Sequence, residues 1–461
     1  MNSVESRVRA AMSAAGDLAE REIRGAPSLR LPSAPAAGAR RRHPPRDWFR
    51  WVVPFTAAAA VVALAVSLVL VKGIQNGIAV PQKPVDSAPA APAGPGGVPR
   101  YYVAAARPSD IVVGDSVTGK LLAKLAVPVP KNTTTFLTGI TAADDDRTFV
   151  VLALTYPTAS LNAQDVFKNA TGTARWYGVR LDPGTAHPAR LTSLPVKPET
   201  VRGDGAYYAQ ATALSGSGQE LAVTRRTASG GMAAQVFSVA TGRLLHEWTT
   251  DDPSLSWSPK SAAQGLAGQP SLTWIDGDRV LAVETMSMAP NSGVPGFDTV
   301  RELNVARPSG GDLVADSKVV WNVTGGGSHL TTLQSCVEPL TGGPVVISAD
   351  GQTFSCPTAG GTGTNDHLSF HTYPLSASTT ATTEGRIDYQ VTFGKDQGLS
   401  IPDILWASPS GDPLIGAFFP YDGSPAAVAS GVHVGLITGG KFTPLRIPAS
   451  LAAATVVDMA F

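Results

Sequence analysis

Five segments of this chain repeat one pattern: an apolar strand, a turn of Asp, Ser and Gly, and a second apolar strand. They read TAADDDRTFVVLA at 141–153, LSGSGQELAV at 214–223, WIDGDRVLAV at 274–283, ISADGQTFSC at 347–356 and ASPSGDPLIGAF at 407–418. With Asp146, Gly218, Gly277, Gly351 and Gly411 as markers, the steps are 72, 59, 74 and 60 residues. A unit recurring at such a period cannot bury its apolar faces alone and stacks on its neighbours. A stack of small sheets has open edges unless it closes into a ring. Each unit is therefore read as the inner hairpin of a four-stranded blade. Spread over residues 101–461, a mean step of about 66 gives six blades, or seven.

A second repeat marks the outer part of two blades. VVGDSVTGKLLAKL at 112–125 and VFSVATGRLLHEW at 236–248 are both hairpins with Thr-Gly at the turn. The first unit, 101–127, looks one strand short, whereas Ala454–Phe461 (ATVVDMAF) is a lone apolar strand; the C-terminal strand is expected to complete the first blade. The expected fold class is all-β, a β-propeller closed by its C-terminal strand. With 47 Gly and 37 Pro, the composition excludes a helical bundle or coiled coil as the main body.

The repeats S-x-D-G-x-x-hydrophobic and S-x-A-T-G-R-L-L are similar to those of WD40 and TolB-like β-propellers. The Gly-His and Trp-Asp dipeptides of strict WD40 blades are missing, so the resemblance is to propellers in general. Taken with the N-terminal features described next, the whole chain resembles a group of membrane-anchored actinobacterial propeller proteins. That resemblance implies a fold and carries no catalytic residues.

Four regions are expected. Residues 51–71, WVVPFTAAAAVVALAVSLVLV, are uncharged, and 21 helical residues at about 1.5 Å each cover a bilayer core. Arg40, Arg41, Arg42, Arg46 and Arg50 precede this segment against Asp47 alone, while Lys72 alone follows closely, which places the N-terminus inside and the C-terminal domain outside the cytoplasmic membrane. A cleaved signal peptide is the rival; its n-region would be 50 residues long, with no small-x-small site directly after the apolar run. Residues 1–50 form a cytoplasmic leader, with a short amphipathic helix over 4–24 and an Arg-rich tether. Residues 72–100 form a Pro/Ala/Gly-rich linker, and 101–461 the propeller. The overall charge balance of 36 basic to 36 acidic side chains argues against a nucleic-acid partner. The bilayer is the expected partner of 51–71.

Chemistry is hard to find. Gly114–Lys120 (GDSVTGK) matches a phosphate-binding loop through seven positions, but Leu121 stands where magnesium needs a Ser or Thr hydroxyl, and a strand follows instead of a helix. It is read as a hairpin turn. Cys336 and Cys356 lie outside the membrane in this topology and are candidates for a disulfide; two buried thiols remain open, and no CxxC or Cys/His cluster suggests a metal. His367 and His371 with Asp366 share a strand face, but the imidazoles would stand about 13 Å apart, too far for one metal ion. Asp144, Asp145 and Asp146 would suit calcium but are more simply a solvated turn. No GxSxG elbow, HExxH helix or EF-hand loop occurs.

Neither catalytic residues nor a cofactor are therefore assigned. The expected function is non-enzymatic binding or sensing of a protein, peptide or envelope ligand through the propeller loops. The alternatives are signalling through residues 1–50 to a cytoplasmic partner, and an extracytoplasmic hydrolase or lyase with a channel-lining site.

Overall fold

Tyr101, Val103 and Ala105 pack into one apolar cluster, whereas Tyr102 and Ala104, their neighbours along the strand, pack into another. Successive side chains of a strand point to opposite faces, so a continuous apolar run needs cover on both sides. That requirement, repeated along the chain, builds the architecture. The structure is a computed structural model describing residues 98–461, apart from 107–108, 161–170, 183, 185–187, 203–210, 228, 230, 252–271, 289–294, 307–309, 325–345, 362–365, 377–384, 394–400, 409–412, 420–432 and 448–458.

The first sheet contains β1 (Tyr101–Ala106), β2 (Asp110–Asp115) and β3 (Leu121–Ala126). The second contains β4 (Thr133–Ala142), β5 (Thr148–Pro157), β6 (Thr171–Leu181), β7 (Ala189–Ser193) and β8 (Glu199–Arg202), the last two sharing one edge of β6. The third contains β9 (Thr212–Leu214), β10 (Glu220–Arg226), β11 (Met232–Ser238) and β12 (Leu244–Thr250). In the fourth, β13 (Leu272–Ile275), β14 (Val280–Met288) and β15 (Pro295–Asn304) are followed by β16 (Gly311–Asp312), which reaches back to pair parallel with β12, and then by β17 (Lys318–Thr324). The fifth contains β18 (Val346–Ile347), β19 (Thr353–Gly361), β20 (Asp366–Pro374) and β21 (Arg386–Phe393). The sixth contains β22 (Ile401–Ala407), β23 (Leu414–Phe419), β24 (His433–Thr438) and β25 (Lys441–Pro444).

The last strand, β26 (Met459–Ala460), pairs antiparallel with β1, Val103 opposite Ala460 and Ala104 opposite Met459, so the C-terminus supplies the innermost strand of the first sheet. Six apolar clusters occupy six seams. Val103 and Ile111 meet Phe149 and Val151 between sheets one and two. Leu152 and Trp176 meet Leu221 and Phe237 at the next seam, and Val236 and Trp248 meet Leu281 and Leu303 at the one after. Trp321 meets Phe354 and Tyr373, and Phe370 meets Ile404 and Leu414. The last seam returns Ile415 and Val434 to Tyr102, Ala104 and Val112, together with Met459 and Phe461. The protein is a six-bladed, closed β-propeller. Of the two blade counts open from the sequence, six is observed, and closure by the C-terminal strand is as expected.

Both repeats have structural work. In the outer hairpins, Gly119 (φ +73) and Gly242 (φ +67) take left-handed conformations that favour glycine. Each also lies against the preceding blade: a Cβ on Gly242 would sit 2.1 Å from the Pro195 carbonyl oxygen, and one on Gly119 would sit 3.0 Å from Arg446 Cβ. The phosphate-loop look-alike is thus a β2–β3 turn that locks blade one to the segment following β25.

Trp51–Val71 and the Arg cluster lie outside the described residues, as do Cys336 and residues 454–458. Among the described residues no helix is long and apolar enough to cross a membrane.

Candidate functional site

The inner hairpin turns lie at one end of the blades, the end at which β1 begins and β26 stops. We call this the turn face. The three consecutive aspartates expected to form a solvated loop form the β4–β5 turn there, and each has a different task. Asp144 donates its backbone N–H to the Gly216 carbonyl of blade three at 2.9 Å. Asp145 ties its own turn, its Oδ1 accepting the N–H groups of Arg147 at 2.9 Å and Thr148 at 2.7 Å. Asp146 reaches the other way: its Oδ2 accepts the Arg100 N–H at 2.8 Å and its Oδ1 the Tyr101 N–H at 3.0 Å. The Asp144 carboxylate itself lies against Gly216, where a Cβ would meet its Oδ2, so the three side chains go to blade three, to their own turn and to blade one rather than to one cation.

Asp146 is one half of a clamp on the point where the chain enters the ring. The β2–β3 turn is the other. The Asp115 carboxylate accepts from Arg100 Nε at 3.0 Å and Nη2 at 2.9 Å through Oδ2, while its Oδ1 accepts the N–H groups of Val117 and Thr118. Ser116 donates its N–H to the Arg100 carbonyl at 2.8 Å, and its hydroxyl donates to that carbonyl and to that of Pro99. Val98 is buried in the seam between blades six and one. The residues expected to end the linker are therefore built into the ring before the first strand starts.

The two carboxyl groups of the clamp respond oppositely to their settings. Burial pushes Asp146 up to about 6, although the N–H groups of Tyr101 and Arg100 pull the other way. Burial also acts to raise Asp115, but hydrogen bonds from the Thr118 N–H and the Arg100 guanidinium, with that cation's charge, outweigh it and hold the carboxyl below its ordinary value. Asp115 has a full positive partner, whereas Asp146 accepts only neutral amides.

The same device recurs two blades on. Asp278, in the β13–β14 turn, accepts the Gly216 N–H at 2.7 Å and the Ser217 N–H at 2.8 Å from the turn of blade three. Asp146 and Asp278 both have left-handed backbones, φ 54 and 66. The sequence carried a signal for this pair, the Asp-Arg dipeptide at 146–147 and 278–279 in two of the five repeats. The roles of Arg100 and Asp115 carried no comparable signal, because their pairing joins the entry of the chain to the β2–β3 turn.

Other buried polar groups link strands. Across blade five, Ser355 and Thr372 share a hydrogen bond at 2.8 Å, Thr372 donates to Asp388 at 2.5 Å, and Asp388 accepts from Arg386 Nε at 2.6 Å. In blade three, Glu247 Oε1 accepts from Arg225 Nη2 and Gln235 Nε2. His371 is buried and stacked on Tyr373 with ring centroids 6.1 Å apart; Asp366 and His367 lie farther along the same strand. Among the described residues no group of three His, Cys, Asp or Glu side chains could hold a metal ion. Cys356 is fully buried between blades four and five and is disulfide-bonded.

No family model matches the sequence, and no curated protein matches it. Among solved structures the chain is similar to the β-propeller domain of the Trilobed protease from Pyrococcus furiosus, at 8% identity and TM-score 0.28, over 67% of this chain and 71% of that one. It is also similar to the Dos1 propeller, at 13% identity and TM-score 0.30, over 74% and 76%. A third is an oligogalacturonate lyase in complex with manganese, at 10% identity and TM-score 0.33, over 74% and 73%. These likenesses concern the fold alone; the six-blade assignment rests on the sheets and seams described above.

Proposed function

We propose that this chain is a single-pass membrane protein that keeps residues 1–50 in the cytoplasm and displays a non-enzymatic propeller outside the cytoplasmic membrane, where its loops bind a protein, peptide or envelope ligand. The observation that carries this reading is the entry clamp. A ring meant only to be linked to its leader needs no special junction, whereas here two blades grip Pro99, Arg100 and Tyr101. A firm junction at the end of a Pro/Ala/Gly spacer suits a module held at a distance from its anchor. The acidic groups of the turn face that the structure describes are largely engaged in holding turns and blades, which favours recognition over catalysis. Membership of the membrane-anchored actinobacterial group belongs to the same reading and rests on the Arg cluster, the apolar 51–71 segment and the spacer.

The clamp also favours the second reading, signalling, because a rigid junction passes a load on the ring into the tether. We further place a disulfide between Cys336 and Cys356, consistent with an oxidising compartment.

Topology is the deciding test. A reporter active only outside the cytoplasm should work when fused after Pro99 and be silent after Ala39; the opposite pattern overturns the proposal. Thiol labelling of the unfolded, unreduced chain should find no free cysteine.

A further inference from the structure

A strand covered on both faces has room for a polar side chain only where that side chain is paired. β11 is such a strand: every residue from Met232 to Phe237 is buried, and Gln235, 4% exposed, is the one polar residue in that run. Its Nε2 donates to Glu247 Oε1 at 2.5 Å, and Arg225 Nη2 donates to the same oxygen at 3.0 Å. Gln235 Oε1 and Arg225 Nε are also buried, yet neither has a hydrogen-bond partner among the described residues. We propose that this corner of the seam between blades two and three binds a neutral, hydroxyl-rich molecule, a sugar, one hydroxyl of which bridges Arg225 Nε and Gln235 Oε1.

Register brings the site together from two blades. Val223 of β10 pairs with Gln235 of β11, and Gln235 with Glu247 of β12, so the three side chains share one face. Val223 and Phe237 show which face it is, because both pack in the seam with blade two. Arg225 follows Val223 by two residues and points the same way. From blade two, Glu199 of β8 pairs with Ala174 of β6, which packs in that seam as well. Burial pushes the Glu199 carboxyl up against the pull of the Arg225 guanidinium, so the two lie within electrostatic reach across the seam. Trp176, two residues along β6 from Ala174, adds a buried indole N–H that has no partner among the described residues. The Arg225 and Glu247 side chains are 40% and 35% exposed and give the corner its opening to solvent.

The chemistry selects the ligand. Gln235 Oε1 needs a donor and Arg225 Nε an acceptor, and both atoms belong to groups already joined at one carboxylate oxygen. A hydroxyl is donor and acceptor at a single atom. A cation does not accept from Arg225, whereas an anion does not donate to Gln235 and meets the carboxylates of Glu199 and Glu247. A trans peptide group directs its N–H and C=O in opposite directions, so one such group does not serve two neighbouring atoms. The Trp176 indole offers a donor to a second oxygen, which fits a molecule with several hydroxyls better than a lone water. The site lies in a seam and not in the loops to which the display reading assigns binding, so the two proposals stand or fall separately.

Saturation-transfer NMR of the full chain, in a detergent without a sugar headgroup, tests this with glucose, galactose and mannose as probes and glucuronate and trialanine as comparators. At least one hexose should receive transfer, and the two comparators none. Gln235→Leu removes the acceptor but keeps a side chain of similar volume, and should weaken binding of that hexose about tenfold, the loss of one hydrogen bond. Arg225→Lys, at a half-exposed position, keeps the charge but loses the Nε–H and should weaken it to a similar degree; it decides alone if Gln235→Leu does not fold. An oligosaccharide of the same hexose separates the sources: tighter binding than the monomer assigns a glycan chain, and equal binding a free sugar. Three results would overturn the proposal: no transfer to any of the three hexoses, as expected of a seam that holds water only; transfer to glucuronate or trialanine equal to that of the hexoses; or hexose binding that is unchanged in Gln235→Leu.

Discussion

Blades one and three are gripped by the same device at ends of different construction. In blade three, Asp278 reaches back to the tip of an intact hairpin, so β9 and β10 are joined covalently whether or not the carboxylate is there. In blade one, Asp146 reaches back to a cut hairpin: the chain enters at Arg100 and ends at Phe461, and β26 is held by a short register with β1 and by the Tyr102–Phe461 ring contact at 5.7 Å. Where the covalent link is missing, non-covalent contacts are denser. Asp146 is buried whereas Asp278 is partly exposed, and Asp115 adds an ion pair with Arg100 and Ser116 a hydroxyl bond to the Arg100 carbonyl, where the Gly216 carbonyl accepts the Asp144 N–H. Cutting a ring at one hairpin thus puts the burden of closure on side chains from the two flanking turns.

The strongest way to break this comparison is to remove the strand that makes it necessary. Deleting Ala454–Phe461 strips Met459 and Phe461 from the seam between blades six and one and exposes the inner edge of β1. The loss should be cooperative, seen as protease sensitivity throughout the propeller in limited proteolysis of the full chain. A truncated chain as resistant as the intact one would mean that closure does not depend on this strand.

The next test sets the two clamps against each other. Asp146→Ala leaves two N–H groups without acceptors at a buried junction and should cost about 3 kcal/mol; Asp278→Ala, at a covalently closed and partly solvated turn, should cost about 1 kcal/mol. Thermal unfolding of both variants measures the gap. Equal losses would show that the cut hairpin has no special need of its carboxylate.

The two carboxyls within the clamp sharpen the comparison through pH. Asp146, raised when folded, contributes stability that is complete below its ordinary 3.8 and is lost as pH rises through about 6. Asp115, lowered when folded, contributes stability present above the ordinary carboxylate range and lost as pH falls through its lowered value. In stability–pH profiles, Asp146→Asn should therefore remove a decline of roughly 2 kcal/mol between pH 4 and 6. Asp115→Asn should remove a decline on the acid side. Profiles parallel to the wild type would contradict both assignments.

The ring was legible because its signals are local. Apolar strands with Asp/Gly turns at a regular step give blades, and the short first unit with an orphan C-terminal strand gives closure; both depend on residues close together in sequence. The partners within the clamps were not legible, although the repeated Asp-Arg dipeptide marks Asp146 and Asp278, because Asp146 and Arg100 are 46 positions apart and Asp278 and Gly216 are 62 apart. Their pairing is a property of neighbouring blades. The triple aspartate shows the limit well: composition suggests one solvated loop, yet backbone geometry sends Asp144, Asp145 and Asp146 to blade three, to their own turn and to blade one. Likewise the GDSVTGK segment is a turn because Asp115 accepts the N–H groups of Val117 and Thr118 and Gly119 turns left-handed, a use of the motif that its seven matching letters do not reveal.

The smallest expected effect separates the turn's shape from its grip. Gly277 precedes Asp278 with φ +62, and a Cβ there would meet nothing within 4 Å, so Gly277→Ala loses only the conformational freedom of a left-handed glycine, about 1 kcal/mol. Gly277→Asn should lose less, since Asn tolerates that region. Neither substitution touches the bonds from Gly216 and Ser217, so exchange at those two amides should match the wild type even where thermal stability falls slightly. If Gly277→Ala instead frees both amides as fully as Asp278→Ala does, the carboxylate is aimed by the turn's exact backbone path. The grip on blade three would then belong to the whole Asp276-Gly277-Asp278 turn, and the contrast with the buried, side-chain-built clamp of blade one would be one of rigidity as well as of covalent continuity.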